Sequence, residues 1–386
     1  MSFSVALPRL MRVGFSASAE LSESLKTLGL SRPFIVSDRF LHETGRVEAL
    51  VSGLAAAGIS AGIFVDTVPE PTVASIDAAV EALKAGDFDC VVGFGGGSPI
   101  DSAKAAAVLA VHGGIMRDYK TPHIQDEPGL PVLAVPTTAG TGSEATRFTI
   151  ITDEASDEKM LCSGLAYLPV AAIIDFELTL TKPARLTADT GIDALTHAIE
   201  AYVSTRATPF SDIFAIAAMQ AIGPNLRKVW QDPQDHAARE AMMLGATYAG
   251  IAFSNSSVAL VHGMSRPIGA HFHVPHGLSN AMLLPLVTAF SAPAAIGRYA
   301  ACARAIGVSD DSVGDQASAA ALVEELHQLN RDLGVPSPRL FGIEESRWSE
   351  LLPTMVEQAI ASGSPGNNPK LASPDEMARL YLAAWF

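Results

Sequence analysis

Four side chains in the second half of the sequence are of the types that bind a divalent transition metal. Asp193-Ala-Leu-Thr-His197 sets a carboxylate and an imidazole four residues apart, which on a helix is one face. His262, in Val261-His-Gly-Met-Ser-Arg266, and His276, in Val274-Pro-His-Gly277, bring the set to one carboxylate and three imidazoles. Nitrogen and oxygen donors of this kind suit Fe(II), Zn(II) or Mn(II), with a position left open for substrate. Among ten histidines, a D-x-x-x-H pair by itself reads as an ordinary surface or core pair, so the rest of the chain has to decide.

The elements around these residues come from a chain of 386 residues, long enough for two domains. Hydrophobic residues make up 48% and charged residues 17%, which provides for a sizeable core. A net charge of −15 argues against nucleic acid or an anionic membrane as a partner of the whole surface. It leaves room for a local basic site that takes an anionic substrate. Cys90, Cys162 and Cys302 stand far apart without a C-x-x-C, so neither a thiolate zinc site nor a disulfide framework is indicated. Three buried thiols in a reducing cytoplasm are expected. The N-terminus lacks a signal-peptide pattern, and no uninterrupted apolar run approaches the roughly 20 residues of a membrane span. The expectation is a soluble, cytoplasmic protein.

In the first half, strand patterns at 33–38, 61–65, 89–94, 131–135 and 171–174 alternate with helical ones. That alternation predicts a Rossmann-like parallel sheet with helices on both faces, and ligands at the carboxyl ends of its strands. Asp38 sits at one such end. It can bond ribose hydroxyls and favour NAD over NADP, and it reads equally as a solvated acid in a turn. The segment Gly93-Phe-Gly95-Gly96-Gly97-Ser98-Pro99-Ile-Asp101 runs from a strand through glycines into a helix start. Ser98 is expected as N-cap, with Pro99 first in the helix and Asp101 three after the cap. Such an end, with Asp101 counted among its cofactor-binding residues, attracts an anion and fits a pyrophosphate. The segment is neither G-x-G-x-x-G nor a P-loop. A second loop, from Pro136 to Glu144, offers Thr137, Thr138 and Thr141 to phosphate or ribose. Lys159 reads as a ribose contact or as a surface lysine.

Strand signals nearly vanish after Lys182-Pro183, and alanine-rich helical spacing replaces them. The expected domains are therefore 1–182, α/β and nucleotide-binding, and 183–386, helical and metal-binding. Arg266 lies four residues after His262, on the same helical face.

Four segments in this order resemble the iron-dependent, or group III, alcohol dehydrogenases: Gly95-Gly-Gly-Ser-Pro99, Pro136-Thr-Thr-Ala-Gly-Thr-Gly142, Gly191-Ile-Asp-Ala-Leu-Thr-His-Ala-Ile-Glu-Ala-Tyr202, and His262 to His276. The resemblance runs from about Pro33 to the C-terminus. It implies a dehydroquinate-synthase-like architecture, with NAD(P) and the metal held in a cleft between the two domains. Asp193, His197, His262 and His276 would then be the metal ligands. Gly95, Gly96, Gly97 and Ser98 would meet the pyrophosphate, Thr137, Thr138 and Lys159 the nucleotide, and Asp38 would favour NAD. At least a dimer is implied. One position departs from the family pattern. Many members carry a second histidine four after the third ligand, thought to relay the substrate proton, where this chain has Arg266. Arginine stays protonated and is a poor acid or base, but its fork suits a carboxylate, phosphonate or sulfonate. The expected substrate is thus a small primary alcohol and its aldehyde, with an acidic tail such as a short ω-hydroxy acid and its semialdehyde. Arg266 reads equally as the partner of a local acid or of cofactor phosphate. His273, with His271 beside it, is the alternative proton carrier. The rival readings are a glycerol-dehydrogenase-like or maleylacetate-reductase-like enzyme, a dehydroquinate-synthase-like lyase, and an inactive nucleotide-binding or assembly protein.

Overall fold

Successive residues of a strand face opposite sides of a sheet, and the first unit of the chain is built on that alternation. The computed structural model describes residues 2–386. It divides into two compact units, Ala6–Thr181 and Lys182–Phe386, with residues 2–5 grouped with the latter. In the first unit, β1 (Leu10–Val13), β2 (Pro33–Val36), β3 (Gly62–Phe64), β4 (Cys90–Gly95), β5 (Val132–Pro136) and β8 (Ala171–Ile174) form one sheet in the order β1-β8-β5-β4-β2-β3. Every pairing in it is parallel. β6 (Phe148–Asp153) and β7 (Glu158–Ser163) make a separate antiparallel hairpin, with Thr152 opposite Lys159.

Helices α1 (Leu21–Leu28), α2 (Arg39–Glu43), α3 (Arg46–Ala56), α4 (Val73–Lys84) and α5 (Gly97–His112) connect the strands. Ile35, Val92, Leu133 and Ile173 share a core with Leu25 of α1 and Leu54 of α3. Their strand neighbours Phe34, Val91 and Val132 share another with Leu83 of α4 and Ala103 and Ala107 of α5. Both faces are covered, so the central strands read as unbroken apolar runs. β1 was not expected. It is a short edge strand, half-buried through most of its length, and its Leu-Met-Arg-Val pattern does not alternate.

Among the described residues the second unit contains no strand. It runs α6 (Ala184–Val203), α7 (Pro209–Ile222), α8 (Leu226–Gln231), α9 (His236–Ser254), α10 (Leu260–Phe272), α11 (His276–Ser291), α12 (Ile296–Ile306), α13 (Asp315–Asp332), α14 (Pro338–Phe341), α15 (Glu345–Ala361) and α16 (Pro374–Ala384). α6 packs against α7, α9 and α11 and is buried almost all round. Small residues permit this: a Cβ on Gly191 would strike Leu226 of α8 and lie 3.0 Å from Met242 of α9. Among the described residues His276–Ala294 is the one helix long and apolar enough to cross a membrane, but 67% of that window is buried inside the structure. Ser279, Asn280 and Thr288 interrupt the run, and it is a core helix. Cys90, Cys162 and Cys302 are all buried and free.

Candidate active site

α6 presents Asp193, His197 and Glu200 at spacings of four and three, which is one face. α10 carries His262, and His276 is the first residue of α11. Asp193 Oδ1 lies 3.5 Å from His262 Nε2, 3.7 Å from His276 Nε2 and 3.8 Å from His197 Nδ1. One donor atom from each of the four residues falls within 4.8 Å of all the others. Asp193, His197 and His262 are buried, whereas His276 keeps 29% of its side chain exposed, so the cluster is open on the His276 side. Gly277 makes the crossing possible. A Cβ there would run into the Asp189 carbonyl and come within 3.3 Å of Asp193 Cβ.

Two further residues hold the donors in place. The buried Glu200 carboxylate accepts from Ala259 N at 2.9 Å, Val261 N at 2.6 Å and His262 Nδ1 at 2.6 Å. A carboxylate only accepts, so Nδ1 carries the proton and Nε2 keeps its lone pair toward Asp193. Asn280, four after His276 on α11, donates Nδ2–H to Asp193 Oδ1 at 2.7 Å, with His262 Nε2 at 3.1 Å. Burial by itself would raise the Asp193 carboxyl, but His197, His276 and His262 outweigh it and hold it well below the usual carboxylate range. Burial also brings His197 down to about 4, against the opposing pull of Asp193, so its ring is neutral and can donate a lone pair at neutral pH. Burial works against the charged form of His262 too, yet the neighbouring Asp193 and Glu200 carboxylates raise it overall.

Arg266 is 8% exposed. Nη1 donates to Ser364 Oγ at 3.1 Å, and Nε is buried without a partner. Among the described residues no carboxylate lies within ion-pair distance of it. Burial lowers the guanidinium to about 10, partly offset by Glu200. Its charge also bears on His197, so it belongs to the surroundings of the cluster. His273 ends α10 with φ 54° and an exposed ring. His271 is engaged with Gln358 Oε1 at 2.9 Å.

In the first unit, β2, β4 and β5 are neighbours in the sheet, so the loops bearing Asp38, Gly95–Ser98 and Thr137–Thr141 follow one another along its carboxyl edge. Gly95 has φ 155°, and a Cβ there would lie 2.5 Å from Pro99. A Cβ on Gly97 would lie 2.8 Å from Thr141. Thr137 Oγ1 is buried with no hydrogen-bond partner. A bare backbone at a helix N-terminus beside an unsatisfied hydroxyl fits a phosphate-bearing ligand. Lys159 reaches the same edge indirectly. Its Nζ pairs with Glu70 Oε1 at 2.6 Å, and Glu70 N donates to Ser98 Oγ at 3.2 Å. Asp38 Oδ1 caps α2 by accepting from Leu41 N at 2.9 Å.

Two expectations are corrected here. α5 begins at Gly97 with Gly96 as N-cap, so Ser98 stands inside the first turn. Asp101 does not serve the helix end. Its carboxylate accepts from Ser143 Oγ at 2.5 Å and Ile150 N at 3.0 Å, tying α5 to the end of the threonine loop and to β6.

Residues 187–385 match the C-terminal model of the Fe-containing alcohol dehydrogenase family, and residues 8–176 match the iron-containing alcohol dehydrogenase model. The chain belongs to the iron-containing alcohol dehydrogenase family. It is 36% identical to the NAD-dependent methanol dehydrogenase of Bacillus methanolicus, over 98% of each chain. Its fold is similar to that of a 1,3-propanediol oxidoreductase at a TM-score of 0.94 and 32% identity, over all of both chains. It is also similar to a sulfoacetaldehyde reductase from Bifidobacterium kashiwanohense, crystallised with NAD+, at 0.89 and 28%, over 100% of this chain and 99% of that one. The protein is thus an iron-type alcohol dehydrogenase that interconverts alcohols and aldehydes.

The four donors suit the metal this family name implies. His197 Nδ1 and Asn280 Oδ1 are buried without hydrogen-bond partners. Unsatisfied polar atoms beside converging imidazoles and a carboxylate are what a divalent cation requires. Sequence reasoning missed Glu200 and Asn280. Each had a signal in its spacing, three after His197 and four after His276, but neither residue type marks a ligand by itself.

Proposed function

We propose that this alcohol dehydrogenase interconverts a short primary alcohol bearing an acidic tail and its aldehyde, with NAD as hydride carrier. In this reading Asp193, His197, His262 and His276 hold the divalent ion, with iron ahead of zinc or manganese. Gly95, Gly96, Gly97 and Ser98 seat the pyrophosphate, and Asp38, Thr137, Thr138, Thr141 and Lys159 meet the rest of the nucleotide. When bound, the ion supplies Lewis acidity toward the substrate oxygen, and NAD takes up or returns the hydride. Glu200 and Asn280 keep the donors aligned. Arg266 orients the substrate by its tail, and His273, exposed to water, exchanges the proton with solvent. The three free buried thiols support a reducing cytoplasmic setting, and a homodimer or higher homo-oligomer is part of the reading.

The observation that carries the acidic tail is Arg266, a buried guanidinium with one neutral partner and no carboxylate at ion-pair distance. A buried charge without a counter-ion is costly, and an anionic substrate would complete it. The sulfoacetaldehyde reductase named above handles an aldehyde with a sulfonate, which supports the same chemistry here. The second reading is a plain short alcohol, with Arg266–Ser364 as a tie between α10 and the turn before Asn367, and the methanol dehydrogenase relative favours it. NADH oxidation with succinic semialdehyde and butanal, in the wild type and in Arg266→Leu, separates the two. The acidic-tail reading expects KM for the semialdehyde to rise at least about tenfold, the loss expected for a charge-assisted bond, with butanal little changed. Equal changes for both substrates would remove the acidic tail and leave the dehydrogenase.

A further inference from the structure

We infer that Glu200 is a positioning residue of the metal centre, acting through His262. The inference rests on the reading of Asp193, His197, His262 and His276 as ligands. Glu200 shares the α6 face of Asp193 and His197, so a single rigid helix carries two donors and the group that orients a third. Its carboxylate does two things at once. Oε2 takes the His262 Nδ1 proton at 2.6 Å, which directs the lone pair of Nε2 toward Asp193. Oε1 takes Val261 N at 2.6 Å and Oε2 also takes Ala259 N at 2.9 Å, two N–H groups at the start of α10 that the helix itself cannot satisfy. The ring and the helix that carries it are therefore fixed by the same buried group. An acceptor-only partner on the far ring nitrogen both selects the tautomer and holds the ring plane, and losing such a partner typically weakens metal binding about 10–100-fold.

A glutamine at 200 must turn its NH2 toward a backbone N–H in either orientation, against Val261 or against Ala259. It keeps the shape of the side chain and loses the full set of acceptors. An alanine removes every acceptor, and the proton of His262 then distributes over both ring nitrogens. The test is Zn(II) affinity by chelator competition in the wild type, Glu200→Gln and Glu200→Ala, together with the ring-nitrogen NMR signals of 15N-histidine-labelled, metal-free protein. The inference expects a dissociation constant at least about tenfold higher in Glu200→Gln, higher again in Glu200→Ala, and a His262 Nδ1–H signal in the wild type that weakens in the variants. If Glu200→Ala does not fold, the glutamine variant decides by its affinity alone. Affinity within twofold of wild type in the variants that fold overturns the inference. So does a loss of affinity in Glu200→Ala with the His262 Nδ1–H signal intact, since Glu200 would then act as a distant charge. A wild type that binds no zinc, iron or manganese is a different result: it overturns the ligand reading on which the inference rests.

Discussion

Asn280 Nδ2 donates to Asp193 Oδ1 at 2.7 Å while Asn280 Oδ1 is buried with no donor of its own. The carboxylate of α6 is thereby oriented by the helix that begins with His276. Asn280→Ala is expected to leave the protein folded and to weaken divalent-ion binding about tenfold, the lower end of what losing such a support costs. Chelator competition checks this. Unchanged affinity would mean that packing alone holds Asp193.

At Gly277 α11 passes against the backbone of α6 with no room for a side chain. Gly277→Ala forces a methyl against the Asp189 carbonyl, and overpacking of this kind costs about 1–3 kcal/mol. Urea unfolding should show a lower midpoint with the slope unchanged, and metal content should fall with it because His276 moves along with its helix. A midpoint equal to wild type would show that α11 can shift without loss.

Gly95 combines φ 155° with a path blocked by Pro99. Gly95→Ala is expected to strain the turn that presents the start of α5 and to raise the dissociation constant of NADH about tenfold or more, at about 1–3 kcal/mol for a strained backbone. Fluorescence titration of NADH measures it, and unchanged binding would separate this turn from the nucleotide.

Lys104 lies fully buried, donating to Thr146 O at 3.1 Å, Thr146 Oγ1 at 3.2 Å and Phe148 O at 2.9 Å. Burial brings its amine to about 8 from an ordinary 10.5, against the pull of Asp101 and Glu144. The folded value is below the unfolded one, so between these pH values the unfolded chain holds a proton the folded chain has released. Unfolding free energy therefore rises with pH across that window. The gain is complete above the unfolded value and lost as pH falls through about 8. The span is about 3 kcal/mol at ~1.4 kcal/mol per pH unit. Lys104→Met should lack this rise in urea unfolding at the two ends of the window, and a variant with the same pH slope as wild type would contradict it.

The clustering of Asp193, His197, His262 and His276 was legible because residue type and helical spacing both survive in the sequence: Asp193 and His197 are four apart on a segment that folds as one helix. Glu200 was not, because its role exists only once α10 docks beside α6 and brings Ala259, Val261 and His262 to it. The start of α5 shows the limit of local rules. Ser98 looks like the better cap, yet the helix begins at Gly97, and Asp101 answers to Ser143 and Ile150, more than forty residues away. α15 went unread because Pro353 lies inside it, although its neighbours Trp348, Met355 and Ala359 are buried at helical spacing.

The proposed role of Asp193, His197, His262 and His276 is to hold one catalytic metal ion. Its most direct test is the metal content and aldehyde reduction of purified Asp193→Asn and His262→Ala beside the wild type, all three reconstituted with Fe(II). About one ion per wild-type chain, with ion and turnover both lost in each variant while NADH still binds, is the predicted result. Wild-type metal content and turnover in either variant would contradict the assignment.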